Sequence, residues 1–284
     1  MLLYQKIKVV IVQFLVRKNF LLFKLLQFSH YLKYTPKRSE HLSVEAKKIL
    51  NQLKKDGVVV IPGFFDDNIC NKILKETQNA IKSIKNNTYN QTSFYSSPEQ
   101  GIYRIKEIDK VSNMSQAFFN NPLIYDIAKA YVDSNVKPYQ KMLEIRPHPG
   151  KINKADSYHF DDWRIRFKSF LYLVDVDEYT APFVYLKGSH GYGNWRSKKE
   201  FEYYKDGKHG RYGKYFNSEV NHICDIFGFE EKICSGKKGT LILVDTRGLH
   251  RGTPLITGER VLLAQYFDIR DFVSDAGTFV LLKK

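Results

Sequence analysis

The sequence has little cysteine and no arrangement that would use it. Its 284 residues include three cysteines, Cys70, Cys224 and Cys234, with no C-x-x-C pair. This number and spacing exclude an even disulfide framework and are typical of a reducing compartment. We therefore expect a cytoplasmic protein that is not secreted.

Several other signatures are also missing. No run approaches the roughly 20 apolar residues of a membrane-spanning helix. The apolar N-terminal residues contain charges and no small-residue cleavage site, which argues against a secretory signal. Neither G-x-G-x-x-G nor G-x-x-x-x-G-K-[ST] occurs, so nothing predicts a nucleotide fold. The H-E-x-x-H motif of zinc hydrolases is absent, and no Ser, Cys or Thr has a recognisable nucleophile setting.

Acidic residues are in deficit. The chain has 30 Asp and Glu against 45 Lys and Arg, a formal net charge of +15. A charge of this size predicts an anionic partner, which could be a membrane surface, a nucleic acid or a charged substrate. A general lysine bias of composition explains the same excess without any partner, and the sequence leaves both explanations open.

Residues 1–38 read as a basic amphipathic segment ahead of the main domain. Wound as a helix, they place Lys6, Gln13, Arg17 and Lys24 on a narrow polar stripe, opposite a broad apolar face. Such a helix can lie in a membrane interface, which predicts peripheral membrane contact through residues 1–35. Packing on the main domain or on a second subunit is the alternative.

The remainder, residues 39–284, reads as one domain with helices first and strands afterwards. Ser43–Gly57 is a capped helix, Asp66-Asp67 and Pro122 start two more, and residues 88–101 are loop-like. Short strands are predicted at 58–61, 142–145, 167–174, 183–186, 240–244 and 261–267. This order favours a mainly β core, an antiparallel barrel or sandwich with helices packed outside.

A basic, aromatic insertion interrupts the strand pattern at about residues 191–238. Between 191 and 216 it holds seven Lys and Arg against three acidic residues, with eight aromatic residues interleaved. The composition suits an anionic substrate with a flat or sugar-like part, or single-stranded nucleic acid. A solvated insertion without a ligand explains it equally well.

The main chemical signal is His159-Phe160-Asp161. Side chains two apart on an extended segment point to the same side, so an imidazole and a carboxylate can meet one metal ion. His250 follows a later strand-like run, and ten positions further Arg260 opens the next strand. Two His and one carboxylate form the facial triad of non-haem Fe(II) oxygenases, and the arginine suits a dicarboxylate co-substrate.

The other candidate site residues have weaker support from the sequence. Lys168, on the strand after H-x-D, is a candidate second cation for the co-substrate, although it could equally face solvent. Four further histidines lie in a turn, lie between prolines or have no carboxylate at strand spacing: His148, His190, His209 and His222.

These residues and their surroundings resemble the phytanoyl-CoA dioxygenase-like branch of the Fe(II)/2-oxoglutarate oxygenases. The resemblance covers roughly residues 43–275, most of the chain. It is carried by Asp56–Phe64, His159–Asp161, Lys168–Val176, Pro182–His190 and Gly239–Phe267. It implies a double-stranded β-helix (jelly-roll, cupin-like) with supporting helices. It also implies His159, Asp161 and His250 as iron ligands and Arg260 as the 2-oxoglutarate anchor.

The resemblance further implies a chemistry. Its cofactors would be Fe(II), 2-oxoglutarate and O2, with ascorbate as a candidate reductant. The reaction would hydroxylate a C–H bond of a small, or lipid- or sugar-linked, anionic substrate. Asp161 fills the ligand position that a halide would need, which favours hydroxylation over halogenation. Two features depart from the family: Thr180-Ala181 stands where it often has Asn-Gly, and the N-terminal 35 residues match nothing.

Alternatives remain at this point. A catalytically degenerate jelly-roll could serve as a binding or scaffold protein, although all four key residues are present. A nucleic-acid-modifying oxygenase would fit the basic charge. However, enzymes resembling AlkB usually carry a second Arg six positions after the co-substrate Arg, where this chain has Tyr266. We therefore do not expect a nucleic-acid partner. Desaturation and epimerisation cannot be separated from hydroxylation by sequence.

Overall fold

The computed structural model describes most of the main domain and part of the N-terminal segment. The described residues are 15, 17–33, 42–86, 94–97, 101–148, 156–161, 165–191, 196, 201–202, 205, 215 and 217–268. Within them the helices are α1 (Phe20–Lys33), α2 (Val44–Asp56), α3 (Asp67–Lys85), α4 (Gln116–Phe119), α5 (Pro122–Tyr131) and α6 (Asn217–Phe227). Among these residues, no helix combines the length and the apolar character that crossing a membrane requires.

The described residues contain ten strands, which are numbered here in the order of the chain. They are β1 (Val58–Ile61), β2 (Phe94–Ser97), β3 (Ile102–Lys106), β4 (Lys137–Arg146), β5 (Phe167–Tyr172), β6 (Phe183–Leu186), β7 (Glu231–Cys234), β8 (Leu241–Asp245), β9 (His250–Gly252) and β10 (Arg260–Asp268). The larger sheet has the order β1-β8-β5-β10-β4-β3-β2 and the smaller one β7-β6-β9. Every pairing is antiparallel, as the sequence predicted, and the two sheets form a jelly-roll sandwich.

The predicted helix starts are confirmed, since each has its cap. The Ser43 hydroxyl accepts a hydrogen bond from the backbone N–H of Ala46, and α2 ends at Gly57 with a φ of +78°. Asp66 caps α3, and Asn121 caps α5 immediately before Pro122. Side-chain acceptors at these positions satisfy backbone donors that a helix start leaves unpaired.

The two faces of the larger sheet have different partners, because side chains alternate along each strand. Residues such as Leu143, Leu171 and Leu263 point outward into a core shared with Leu53 of α2 and Ile127 of α5. The opposite face holds a second apolar cluster between the sheets: Met142, Phe170, Tyr172, Leu262 and Ala264, with Tyr185 and Cys234 of the smaller sheet. The helices therefore support the sandwich from outside, and its interior is left for the site.

Two sequence predictions about loops were wrong. Residues 94–97, predicted as loop, form β2, which pairs with the unpredicted strand β3. The insertion was expected to run to about residue 238, but β7 at 231–234 pairs with β6 in the smaller sheet. All three strands are short, and β3 and β7 also contain charged residues, so neither periodicity nor β propensity marked them.

The N-terminal segment is described only from its second half. Asn19 caps α1, its side-chain oxygen accepting from the backbone N–H groups of Leu21 and Leu22. Of the predicted polar stripe, Lys6 and Gln13 lie outside the described residues. Helical structure over residues 20–33 agrees with the prediction for this part of the segment.

Candidate metal centre and co-substrate site

His159, Asp161 and His250 come together, as the spacing predicted. Each offers one ligand atom, and the three atoms lie within 4.8 Å of one another. Oδ1 of Asp161 is 3.9 Å from Nε2 of His159 and 3.7 Å from Nε2 of His250. Two imidazoles and one carboxylate on one side of a shared point are the donor set of a 2-His-1-carboxylate iron site.

Backbone hydrogen bonds hold the two ligand segments against each other. His159 and His250 exchange both of their N–H···O bonds, each at 2.9 Å, and this bridge adds the H-x-D segment to the edge of β9. The backbone N–H of Asp161 donates to the carbonyl of Thr246 at 2.9 Å. Phe160, between the two ligands, points the other way into an apolar cluster with Leu249. The alternation expected for H-x-D is therefore present.

The protonation of both histidines suits a metal. Nδ1 of His159 lies 2.8 Å from the carbonyl of Ser157, and Nδ1 of His250 lies 2.8 Å from that of Gly248. A carbonyl only accepts, so Nδ1 carries the proton and Nε2 presents a lone pair to the centre. Burial, reinforced by the neighbouring His159, lowers the pKa of His250 to about 3, which keeps this imidazole neutral at pH 7.

Lys168 forms an ion pair with the carboxylate of the candidate metal centre. Its ammonium group donates to Oδ2 of Asp161, so that Oδ1 alone faces the two histidines. Burial would raise the pKa of Asp161, but the charge of Lys168 outweighs it and holds that pKa well below its usual range. The carboxylate in turn raises the pKa of Lys168 despite burial. The ammonium also lies 4.1 Å from the ring centroid of Tyr266.

The structure does not place Lys168 beside Arg260. Lys168 pairs in register with Tyr266, six positions along β10 from Arg260. At about 3.4 Å per residue, the two backbone positions are roughly 20 Å apart. Lys168 therefore lies at the metal end of the sandwich and away from Arg260, and its role as a second cation for the co-substrate stays a prediction.

Arg260 lies inside the sandwich with donor capacity left. Its Nη1 donates to the carbonyl of Ala181 at 2.6 Å, and Nη2 donates to Glu144. Its Nε is buried and has no hydrogen-bond partner among the described residues. An unpaired buried donor on a guanidinium is what an added carboxylate would satisfy. The turn that departs from the family's Asn-Gly supplies the Ala181 carbonyl, and Ala181 has a φ of +60°.

A buried charge cluster surrounds this arginine, and sequence analysis missed it. Glu144 is bonded to Arg104 and Arg260, and Arg146 pairs with Asp156 at 3.2 Å. Burial would raise the pKa of Glu144, but the three arginines lower it to about 2. The period-two order of Met142, Glu144 and Arg146 on β4 could have indicated charged residues facing the interior.

A second missed network shapes the turn before His250. The buried Asp245 carboxylate accepts from the hydroxyl of Tyr131 at 2.6 Å and from Nε of Arg247 at 2.8 Å. Tyr185 donates to the backbone carbonyl of Asp245 at 2.8 Å. Fully paired buried groups make a rigid turn, so the network fixes where His250 emerges.

Arg196 has a structural role that its place in the basic insertion did not suggest. It is almost completely buried, its Nη1 donates to the carbonyl of Arg247, and its guanidinium lies 5.0 Å from the ring centroid of Phe160. Of the other basic residues predicted to face an anionic substrate, Lys205 is exposed, and the rest lie outside the described residues. Arg196 thus joins the insertion to the ligand segment.

Comparison with known proteins agrees with this geometry. The model of the phytanoyl-CoA dioxygenase (PhyH) family matches residues 53–260, more than half of the chain, and this span contains all three ligand candidates and Arg260. No curated protein sequence matches the chain significantly.

Solved structures with the same fold include iron enzymes. EctD from S. alaskensis with bound Fe has a TM-score of 0.60 at 15% identity, over 83% of this chain and 80% of that chain. The 2-oxoglutarate-dependent carbocyclase SnoK from nogalamycin biosynthesis has a TM-score of 0.55 at 13% identity, over 82% and 86%. The epimerase SnoN from the same biosynthesis has 0.54 at 13%, over 79% and 82%. At these identities the likeness establishes the jelly-roll fold.

Proposed function

Because the chain belongs to the phytanoyl-CoA dioxygenase family, we propose that it is an Fe(II)- and 2-oxoglutarate-dependent dioxygenase that hydroxylates a C–H bond of a small anionic substrate. The observation that carries the proposal is the converging set of His159 Nε2, His250 Nε2 and Asp161 Oδ1. His159, Asp161 and His250 would hold the iron, and Arg260 would pair with the far carboxylate of 2-oxoglutarate. When bound, iron would activate O2, which supplies both the oxidising power and the oxygen atom, and 2-oxoglutarate would supply two electrons as it is converted to succinate and CO2.

The chain's own residues would orient these groups and keep the site dry. Backbone carbonyls fix the tautomer of both histidines, and Lys168 restricts Asp161 to one ligating oxygen. Arg260 offers a planar guanidinium, which suits a carboxylate better than a flexible ammonium does. The Phe183 ring lies tilted beside that of His250, with ring centroids 5.3 Å apart, and would help to exclude water.

The proposed substrate is a small molecule, or one linked to a lipid or sugar, that carries negative charge. The net charge of +15 and the basic insertion support this class. SnoN is an epimerase and SnoK a carbocyclase. The jelly-roll therefore does not determine the outcome. Asp161, which fills the ligand position that a halide would need, supports hydroxylation over halogenation. Three free cysteines, two of them buried, support a reducing compartment such as the cytoplasm.

The test needs no substrate. Fe(II) and then 2-oxoglutarate are added anaerobically to the purified protein, and the visible charge-transfer band is recorded. His159→Ala should abolish the band, and Arg260→Ala should shift its appearance to much higher 2-oxoglutarate. His222→Ala, which removes an exposed histidine on α6, is the matched control and should keep the wild-type band. A folded wild-type protein without any band would refute the oxygenase and favour the scaffold function.

A further inference from the structure

Helix α1 has two faces with opposite surroundings. Phe23 is 2% exposed, and its ring lies 5.4 Å from that of Phe201 in the insertion. Phe20 contacts the same ring at 5.4 Å. On the other side Leu21, Leu25 and Phe28 are 65%, 55% and 57% exposed. These three lie four and three positions apart, so they form one apolar stripe on the helix.

The stripe stands in a strongly basic context. The first 39 residues contain eight Lys and Arg and no Asp or Glu, and Glu40 is the first acidic residue of the chain. Lys24 lies on α1 itself, and Lys18 immediately precedes its cap, Asn19. A helix that exposes large apolar side chains beside cations has the features of one that lies in the surface of an anionic membrane.

We propose that the stripe Leu21–Leu25–Phe28 of α1 is the surface by which this protein binds an anionic lipid bilayer. Apolar side chains would enter the boundary between headgroups and acyl chains, while lysines contact the headgroup charges. A second copy of the chain fits this face less well, because pairing two such helices would bring two basic segments together. Charge complementarity therefore selects the membrane.

The position of α1 links this surface to the metal centre. Phe201, against which α1 packs, belongs to the same insertion as Arg196, and Arg196 contacts Phe160 between the two metal ligands. A protein docked through α1 would thus hold its insertion and its site close to the lipid surface. Vesicle binding itself does not depend on iron or 2-oxoglutarate, so it can be tested whether or not the proposed function is correct.

The experiment is co-sedimentation of the full chain with vesicles. One set consists of phosphatidylcholine alone and the other of phosphatidylcholine mixed with phosphatidylglycerol. The wild type should bind the mixed vesicles, and high salt should weaken the binding. The variant L21Q/L25Q/F28Q should bind them at least about tenfold more weakly, since it removes the apolar contacts. The control V111Q/I256Q removes two side chains that are each 57% exposed, on other parts of the surface, and should bind like wild type.

Three kinds of result would overturn the proposal. The first is that folded wild type shows no preference for the mixed vesicles, either because it binds neither set or because it binds both equally. The second is equal binding by the wild type and the triple variant. The third is a wild-type oligomer, seen by light scattering, that the triple variant loses, because a second copy would then cover the stripe. Circular dichroism and thermal melting show that each variant is folded.

Discussion

The ion pair between Lys168 and Asp161 gives the two carboxylate oxygens of Asp161 different partners in the candidate triad. The ammonium takes Oδ2, and Oδ1 faces Nε2 of His159 and Nε2 of His250 at 3.9 and 3.7 Å. The Asp161 side chain is only 23% exposed, so water can compensate for loss of the lysine only in part. The ion pair therefore both orients the ligand and neutralises it when no metal is bound.

Lys168→Met should separate these two effects. Without metal the variant should melt at a lower temperature than wild type, because removing one partner leaves a largely buried carboxylate unpaired, at a cost of up to about 3 kcal/mol. Adding Mn(II) or anaerobic Fe(II) should then raise its Tm by more than it raises that of wild type, since the cation replaces the lost charge. Thermal melting with and without metal measures both.

The control for this pair is Lys187→Met. Lys187 pairs with Glu230 at 2.7 Å on the surface, where ion pairs contribute little. The Lys187→Met variant should have the melting temperature of wild type and the same increase in melting temperature on adding metal. Equal metal-free stability and equal metal response of Lys168→Met and wild type would show that Lys168 does not position Asp161.

Arg260→Gln and Arg104→Gln test the co-substrate anchor. Both arginines bond to Glu144, but they differ in burial. Arg104 comes from β3, where its side chain is 29% exposed, and Arg260 comes from β10 with a buried Nε that has no hydrogen-bond partner in the described part of the chain. We expect Arg260→Gln to weaken 2-oxoglutarate binding roughly 10- to 100-fold, as loss of a charge-assisted bidentate contact implies. Arg104→Gln should leave it within about twofold. Titration of the charge-transfer band gives both affinities, and equal losses would mean that Arg260 acts only through Glu144.

The sequence indicated the candidate ligands mainly through the local H-x-D signal, and it missed the residues that support them because those contacts are distant in the chain. H-x-D needs only the alternation of one extended segment, and the structure has it. The Glu144–Arg260 pair joins residues 116 positions apart, and Tyr131–Asp245 joins residues 114 apart. The location of Lys168 also depended on the register of β5 with β10, which no local pattern determines.

The helices and strands show the same difference between local signals and distant contacts. Ser43, Gly57 and Pro122 marked helix boundaries through backbone chemistry that acts within a few residues. Strands β2 and β7 carry no alternation that marks them in the sequence. They are strands because a neighbour, β3 or β6, offers an edge to pair with. Tertiary context decided them, as is usual for short strands.

Gly248→Ala should damage the metal centre without touching a ligand. A Cβ at Gly248 would lie 1.9 Å from the hydroxyl of Tyr185 and 2.9 Å from Oγ of Ser189. The turn would have to move, and with it the Gly248 carbonyl that accepts from Nδ1 of His250. We expect a lower Tm and metal binding weakened by roughly tenfold or more, in line with the loss of such supporting contacts.

The matched control is Gly191→Ala. Among the residues that the structure describes, a Cβ there would meet only the carbonyl of Gly188 at 3.5 Å, an ordinary contact, so stability and metal affinity should stay near wild type. Metal affinity can be measured by calorimetry with Mn(II). Unchanged affinity in Gly248→Ala would mean that His250 is positioned without this turn.

Glu144 should make folding stability depend on pH in an acidic window. Three arginines lower its pKa from 4.5 to about 2 in the folded chain. A lowered pKa means stability that is fully present above 4.5 and is lost as the pH falls towards 2, because the unfolded state takes up the proton first. At 1.36 kcal/mol per pH unit, the full loss from this group is about 3 kcal/mol.

Glu144→Gln should be less stable at neutral pH, since Arg104 and Arg260 lose their shared anion, and should lose less stability between pH 4.5 and pH 2. The exposed Glu45→Gln should keep the wild-type dependence. Urea unfolding at several pH values gives the slopes, and identical slopes for Glu144→Gln and wild type would contradict the assignment.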